Sequence, residues 1–379
     1  MHSIIVGGGI AGLALAASLA KTDAGATRTL LERRELASPA GLGFLLLENG
    51  LDALARIVPD FDPARLGREV SAVALLDRDG RPLAEHPTAP ARCVERRDLL
   101  DLLRAAAAGT TIRDMRAACD LAFDGASDRA PCGGIANDPS ERRVRAVRLE
   151  DGTEVAGDLF FACDGARSRL RTVLEPASRL SDASVLEIVS SIESAPLAAR
   201  LGTTFHKYHD PEGGLAAGLL ATGPSRVVWF MQVDGRRWRP RDRSADALHA
   251  FTAERLAGWA PEVAAAIAAT DFARSHLWAT RDLPPLPRLA WGNIALVGDA
   301  AHACLPFTSQ GANGALVDAA LLGALLADAR DHSAATAALA RYSEIRRPHH
   351  AHMYREGRRL HDLFLAPLGG RGPVVPIAA

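Results

Sequence analysis

The chain has 379 residues, 48% of them hydrophobic and 23% charged, with 44 basic residues against 45 acidic ones for a net charge of −1. This balance excludes a disordered chain, which needs fewer apolar residues and more net charge. It also excludes a nucleic-acid binder held by bulk charge. The length allows roughly two to three ordinary domains.

Ser3-Ile4-Ile5-Val6 reads as a buried strand, Gly7 to Gly12 as a turn, and Ile10 to Lys21 as a helix of small and apolar residues. Residues 3–20 are apolar enough to imitate a signal peptide. No Lys or Arg precedes the run, however, and Gly7, Gly8, Gly9 and Gly12 interrupt it. No later stretch is long and apolar enough to span a bilayer, so a cytoplasmic protein without a membrane segment is expected. Arg28 to Glu32 reads as a second strand, completing a βαβ unit.

Val73 to Ala84 reads as a hairpin around Asp77-Arg78-Asp79-Gly80, and Arg96 to Ala108 as a helix. Cys119 to Phe123 and Val144 to Leu149 pair as strands across an exposed loop, Asp124 to Ser140, rich in Gly, Asp, Ser and Pro. Leu159 to Ala162 is a further buried strand. Between about 176 and 275 the character changes. Val185–Ile192, Thr203–Tyr208, Leu215–Leu220 and Val227–Val233 read as strands, the last two joined at Thr222-Gly223-Pro224. Asp246–Trp259 and Pro261–Ala269 read as helices. Ile294 to Val297 returns to a buried strand, followed by one long helix through Asp328. The tail is helical from Thr336 to Leu365 around Pro348 and frayed from Gly369.

The five cysteines, Cys93, Cys119, Cys132, Cys163 and Cys304, form no CxxC pair and suggest neither a disulfide framework nor a zinc site. His349, His350 and His352 lie close together on a charged helix and read as solvated; no metal site is expected. Of the basic residues only Lys21 and Lys207 are lysine. This reads as base composition and carries no functional weight.

Gly7-x-Gly9-x-x-Gly12 has the strand-turn-helix context of a dinucleotide-binding fingerprint. Gly7 permits the turn, Gly9 lets backbone approach a pyrophosphate, and Gly12 brings helix and sheet together. The helix N-terminus, which includes Ala11, offers amides and partial positive charge to phosphates. Glu32, followed by Arg33, ends the second strand, where a carboxylate meets ribose hydroxyls. This unit alone suits NAD or FAD.

Two later motifs narrow the choice. Asp164-Gly165-Ala166-Arg167-Ser168-Arg169-Leu170-Arg171 has the pattern DGxxSxxR. Gly298-Asp299-Ala300-Ala301-His302 is followed by Pro306 and by Gln310-Gly311-Ala312-Asn313. With the N-terminal unit, these motifs resemble the class A, single-component FAD-dependent monooxygenases of the p-hydroxybenzoate and salicylate hydroxylase type, over residues 4 to about 358. The resemblance implies an α/β fold: a Rossmann-like FAD-binding domain, an inserted mostly antiparallel β-sheet substrate domain, and C-terminal helices. The expected FAD domain comprises residues 1–69, 88–175 and 276–330. The substrate domain comprises 70–87 and 176–275, and the helical tail 331–379.

The same resemblance assigns roles. Asp299 would hold the ribityl chain and Arg96 would approach the FAD phosphates. Asp164 would hold FAD and admit NAD(P)H. Pro306 would lie beside the isoalloxazine, with Gly311, Ala312 and Asn313 presenting amides to its pyrimidine edge. Gly41-Leu42-Gly43-Phe44 would be the mobile-flavin loop, and His302 part of the scaffold. Two positions depart from the family pattern: Ser309 stands where the first Gly of Gly-Gln-Gly is usual, and Val317 where Glu often precedes Asp318.

The implied activity is hydroxylation or epoxidation of an aromatic or polycyclic small molecule with NADH or NADPH and O2, through a flavin C4a-hydroperoxide. The alternatives are Baeyer–Villiger insertion, decarboxylative hydroxylation or dehydrogenation on the same fold, or a flavin-binding protein without turnover. No second nucleotide fingerprint and no halogenase-type WxWxIP motif is present. In the inserted sheet, His206 and Tyr208 share one strand face and Phe205 and Lys207 the other. Alternation does not say which face roofs the site. His206 and Tyr208 are the candidate catalytic residues, a pair able to bind and deprotonate a phenol. The oligomeric state is not set by the sequence.

Overall fold

The computed structural model describes residues 1–22, 26–35, 42–124 and 143–369. Cys132, Gly41, most of the expected loop from Asp124 to Ser140 and residues 370–379 lie outside these.

A six-stranded sheet forms one layer, in the order Ala290–Trp291, Ile294–Leu296, Leu159–Ala162, His2–Val6, Thr27–Leu31 and Thr111–Arg113. The last five strands of this order run parallel; only Ala290–Trp291 is antiparallel. Parallel strands buried on both faces need continuous apolar runs. Ile4, Ile5, Leu30, Phe160, Phe161 and Leu296 meet that need, each at 0% exposure. Helices Ile10–Thr22 and Gln310–Leu326 pack together beside this sheet and belong to the same core. The contact is close because the residues are small: a Cβ on Gly323 would meet Ser18 Oγ at 2.1 Å.

The second layer is an eight-stranded sheet in the order His276–Ala279, Val185–Glu193, Arg226–Asp234, Leu215–Ala221, Thr204–His209, Arg68–Asp77, Pro82–Glu95 and Gly43–Leu46. It is antiparallel except where Thr204–His209 runs parallel to Arg68–Asp77. Its two faces are distinct. On one, Tyr208, Ala217, Leu219, Trp229 and Met231 pack under helices Ala195–Leu201, Ala245–Arg255 and Pro261–Ala268. The other carries Phe205, Leu220 and Val228 in one cluster, and Val185 and Ala216 in another with Leu305, Phe307, Leu360 and Phe364. A small three-stranded sheet, Ala118–Phe123, Val144–Leu149 and Glu154–Ala156, completes the set.

Several expectations change. The long helix after Val297 is broken: Asp299–His302 stops at Ala303, and a separate 3-10 turn at Pro306–Thr308 precedes Gln310–Leu326. Pro306 lacks an amide proton and starts the turn, and Ser309 reverses the chain at φ +54°. The tail is one helix, His332–Leu365, with Pro348 inside it. Gly43 and Phe44 lie in a strand, paired with Glu95 and Val94. His350 is buried, His349 half-buried and only His352 exposed, which corrects the reading of these histidines as solvated. Among the described residues no helix is long and apolar enough to cross a membrane.

Candidate cofactor and substrate site

The parallel sheet brings the motifs together. Gly7 follows His2–Val6, Glu32 follows Thr27–Leu31, Asp164 follows Leu159–Ala162, and Asp299 follows Ile294–Leu296. These strands are neighbours and run the same way, so all four residues emerge at one carboxyl edge, where open α/β sheets bind ligands. The ladder continues into the turns: Gly7 N donates to Leu31 O at 2.7 Å, Cys163 N to Val6 O at 2.8 Å and Val297 N to Ala162 O at 3.0 Å.

Glycine is required at two of these positions. Gly7 has φ +110°, and a Cβ there would stand 2.2 Å from Cys163 O. A Cβ on Gly12 would stand 1.8 Å from Gly7 O. Gly9 differs: a Cβ there would meet only the Arg96 guanidinium, at 3.8 Å. The surface of the loop is thus open in front of an arginine. That guanidinium has no hydrogen-bond acceptor among the described residues; burial lowers its pKa while the charge of Asp299 opposes the shift. Asp299 itself is exposed.

Asp164 Oδ2 accepts from the amides of Arg169 and Leu170, at 2.9 and 3.3 Å. Its Oδ1 is buried with no partner, and burial raises the pKa of the carboxyl. Glu32 accepts from Gly8 N at 2.6 Å and Arg34 N at 2.9 Å, which fixes the carboxylate beside the glycine loop; Arg33 is exposed. An open glycine cradle, an unpartnered arginine and an orphaned carboxylate oxygen at one sheet edge fit a dinucleotide such as FAD.

The loop after Asp299 is held by groups the motifs only partly reveal. Asn313 is 0% exposed, and its side chain is fully engaged: Nδ2 donates to Leu45 O and Ser309 O, and Oδ1 accepts from Leu47 N. It therefore fastens Gly43–Leu46 to the helix start, leaving only its backbone for a ligand. Pro306, Gly311 and Ala312 are half-buried on the same loop. Arg171 joins two of the motifs, donating to Ala300 O at 3.0 Å and Ala166 O at 2.7 Å.

Asp318 accepts from Gly298 N, His302 Nε2 and Arg346 Nε at 3.0, 2.8 and 2.6 Å. Burial pushes its pKa up, but Arg346 and His302 outweigh burial and hold it well below the usual carboxylate range. His302, Asp318 and His350 lie within metal-ligating distance of one another. Arg346 occupies the same carboxylate, however, so the group is a buried ion-pair network.

His206 and Tyr208 do not reach this region. Tyr208 is 1% exposed in the helix-covered cluster, its hydroxyl 3.5 Å from His206 Nδ1. Burial lowers the His206 pKa and raises that of Tyr208, with Glu262 of helix Pro261–Ala268 the next influence on each. The residues that face the Pro306–Thr308 turn are those of the opposite parity. Lys207 Nζ lies 5.9 Å from the Phe307 ring centroid, and Phe307 packs on Ala216. Strand alternation turns His206 and Tyr208 away from the loop that carries Pro306. The sequence reading gave Lys207 no role, and the structure places it on the face that meets Phe307.

Comparison with known proteins supports the same assignment. Residues 115–356 match a family model described as FAD binding domain, and residues 5–41 one described as NAD(P)-binding Rossmann-like domain. A 3-amino-4-hydroxybenzoate 2-monooxygenase from Streptomyces platensis is 30% identical, the match covering 97% of this chain and 89% of the relative. An FAD-dependent urate hydroxylase from Klebsiella pneumoniae is 27% identical, over 88% of this chain and 84% of the relative. The solved structure of Klebsiella pneumoniae HpxO complexed with FAD and uric acid has the same fold, with a TM-score of 0.78 at 24% identity, covering 98% of this chain and 90% of that one. P. aeruginosa PqsL in complex with 2-aminobenzoylacetate gives a TM-score of 0.78 at 23% identity, over 96% and 97% of the two chains. With the family model spanning more than half of its residues and a near-full-length relative at 30% identity, the chain belongs to the FAD-binding family of single-component FAD-dependent aromatic monooxygenases.

Proposed function

We propose that this enzyme uses NADH or NADPH and O2 to hydroxylate a small, electron-rich ring bearing nitrogen and oxygen substituents. The observation that carries the reading is the convergence of Gly7–Gly12, Asp164 and Asp299 at one carboxyl edge of the parallel sheet, with Arg96 between loop and carboxylate. The names of the relatives, which act on 3-amino-4-hydroxybenzoate and urate, support the substrate class.

In this reading Gly7, Gly9, Ala11 and Gly12 place the first helix end against the pyrophosphate. Glu32 and Arg33 lie on the adenosine side, and Arg96 neutralises phosphate charge. Asp164 offers its orphaned oxygen, and Asp299 accepts from hydroxyls of the ribityl chain. Pro306, Gly311, Ala312 and the Asn313 backbone border the ring, where the start of helix Gln310–Leu326 favours negative charge. Bound FAD supplies electron transfer and O2 activation. The chain binds and orients both molecules, and Leu305, Phe307 and the inserted sheet exclude water. Strands from 70–87 and 176–275 form most of the substrate side, and Gly43–Leu46 and His276–Ala279 extend their sheet at its two edges. We place the enzyme in the cytoplasm, where reduced nicotinamide is available.

The test is an absorbance spectrum of the purified protein, followed anaerobically as NADH or NADPH is added. Flavin bands that bleach with either nucleotide support the reading, and product analysis in air then identifies the oxygenated ring. A colourless protein that takes up no added FAD overturns it.

A further inference from the structure

Lys207, Glu187, Gln232 and His209 lie on the sheet face that meets Phe307. The register places three of them in one row. His209 is opposite Ala216, Ala216 opposite Gln232, and Gln232 opposite Glu187. Directly opposite residues project from the same face. Lys207 lies in the adjacent row, opposite Gly218, where any side chain would collide with the Phe230 ring. Ala216, at the centre of the row, packs with Phe307, Leu360 and Phe364.

The polar groups of this face are under-used. Lys207 is 1% exposed, yet its ammonium donates to no acceptor among the described residues. Gln232 donates to Glu187 at 3.3 Å, but its Oε1 is buried without a partner, as is His209 Nε2. Glu187 and Lys207 feel each other's charge, but no direct ion pair joins them. Unmet buried groups are costly, and native chains seldom keep several together without a use. Glu187 is half-buried, and directly opposite it on the edge strand is Trp278, 55% exposed.

We infer that Lys207, Glu187 and Gln232 form the recognition set for a ring edge that carries a hydrogen-bond donor beside an acidic oxygen. Lys207 donates to the oxygen, Glu187 accepts from the neighbouring N–H, and Gln232 braces Glu187 while offering its own free oxygen. The inference rests on the aromatic-hydroxylase reading and sharpens its substrate class.

The test uses the full chain loaded with FAD, without nicotinamide, so that no turnover occurs. The probes are 3-amino-4-hydroxybenzoate, 4-hydroxybenzoate and 3-aminobenzoate, which differ by one ring substituent. Binding is read from the flavin spectrum and, independently of flavin, by equilibrium dialysis. The probe with both groups is expected to bind about tenfold more tightly than either of the others, as one charge-assisted hydrogen bond allows. Glu187→Gln removes the advantage of the amino group, and Lys207→Met that of the hydroxyl. Lys207→Arg restores part of the latter and serves as the second variant if Lys207→Met does not fold. Equal affinity for the three probes, no binding of any, or unchanged discrimination in the variants overturns the inference. If the flavin assay finds no FAD while dialysis still discriminates the probes, the cofactor reading fails and this inference stands.

Discussion

The carbonyl oxygen of Gly7 occupies the place where a side chain on Gly12 would begin, 1.8 Å from an ideal Cβ. The first turn of the helix and the end of the first strand thus share a space that only two glycines leave free. Gly12→Ala must displace backbone, because the obstructing atom is a carbonyl and not a flexible side chain. We expect Gly12→Ala to lose FAD on gel filtration, with a stability cost of about 1–3 kcal/mol. Retention of stoichiometric flavin by this variant would show that the loop tolerates the shift.

Arg171 ties the DG segment to the GD turn through two carbonyls that nothing else is shown to satisfy. Arg171→Met preserves much of the volume but leaves both acceptors without their donor. A loss of about 2–4 kcal/mol is expected in denaturant unfolding. A change within about 0.5 kcal/mol would mean that the acceptors find other partners, as surface changes typically show.

Ser309 holds φ +54° and ψ 18° at the entrance to helix Gln310–Leu326, a backbone region that suits glycine. The left-handed conformation costs an L-residue roughly 1–2 kcal/mol, while glycine adds about 0.4–1 kcal/mol of unfolded-state entropy. Ser309→Gly is therefore expected to be neutral to slightly stabilising. Ser309→Val, β-branched at the same φ, should be clearly destabilised. Thermal unfolding of the pair checks the order, and a more stable valine variant would contradict it.

Asp318 is fully buried and accepts from Arg346, His302 and Gly298. Removing the cation leaves an uncompensated charge, so Arg346→Met should cost about 3–5 kcal/mol. Arg346→Met combined with Asp318→Asn should cost less than Arg346→Met alone. Because the folded pKa of Asp318 lies below its unfolded value, its contribution is present above the unfolded pKa and is lost as pH falls through the folded one. The acid limb of the wild-type stability curve should therefore flatten in Asp318→Asn, measured by urea midpoints across pH.

Burial pushes Glu187 up to about 7 and Lys207 down to about 8. The groups facing the pair are Gln232, which hydrogen-bonds Glu187, and His209, kept neutral by burial at about 3. The positive charge of Lys207 lowers the Glu187 pKa, so Lys207→Met must raise it further. Where binding of an amino-bearing probe needs ionised Glu187, its acid limb should lie near pH 7 in the wild type and move upward in Lys207→Met. A downward shift, or none, would show that the two charges are not coupled.

The convergence of the motifs at one sheet edge was legible because its signals are local. Gly7-x-Gly9-x-x-Gly12 and Glu32 declare themselves through steric demands within a few residues, and Asp164 and Asp299 each stand just past an apolar strand. Neighbouring parallel strands then bring such residues to one edge, so chain order already implied spatial convergence. The substrate side was not legible in this way. Alternation sorted His206 and Tyr208 from Phe205 and Lys207, but a period of two carries no sign. The sign came from the partners: helices from residues 195–268 cover the His206 face, and Phe307, a hundred residues further along the chain, meets the other. The charge states followed the same rule. Arg346 lies 28 residues from Asp318 and Glu187 lies 45 from Gln232, so neither pairing could be read from spacing. Local sterics and periodicity are written in adjacent residues, whereas burial and electrostatics depend on which distant segment closes over them.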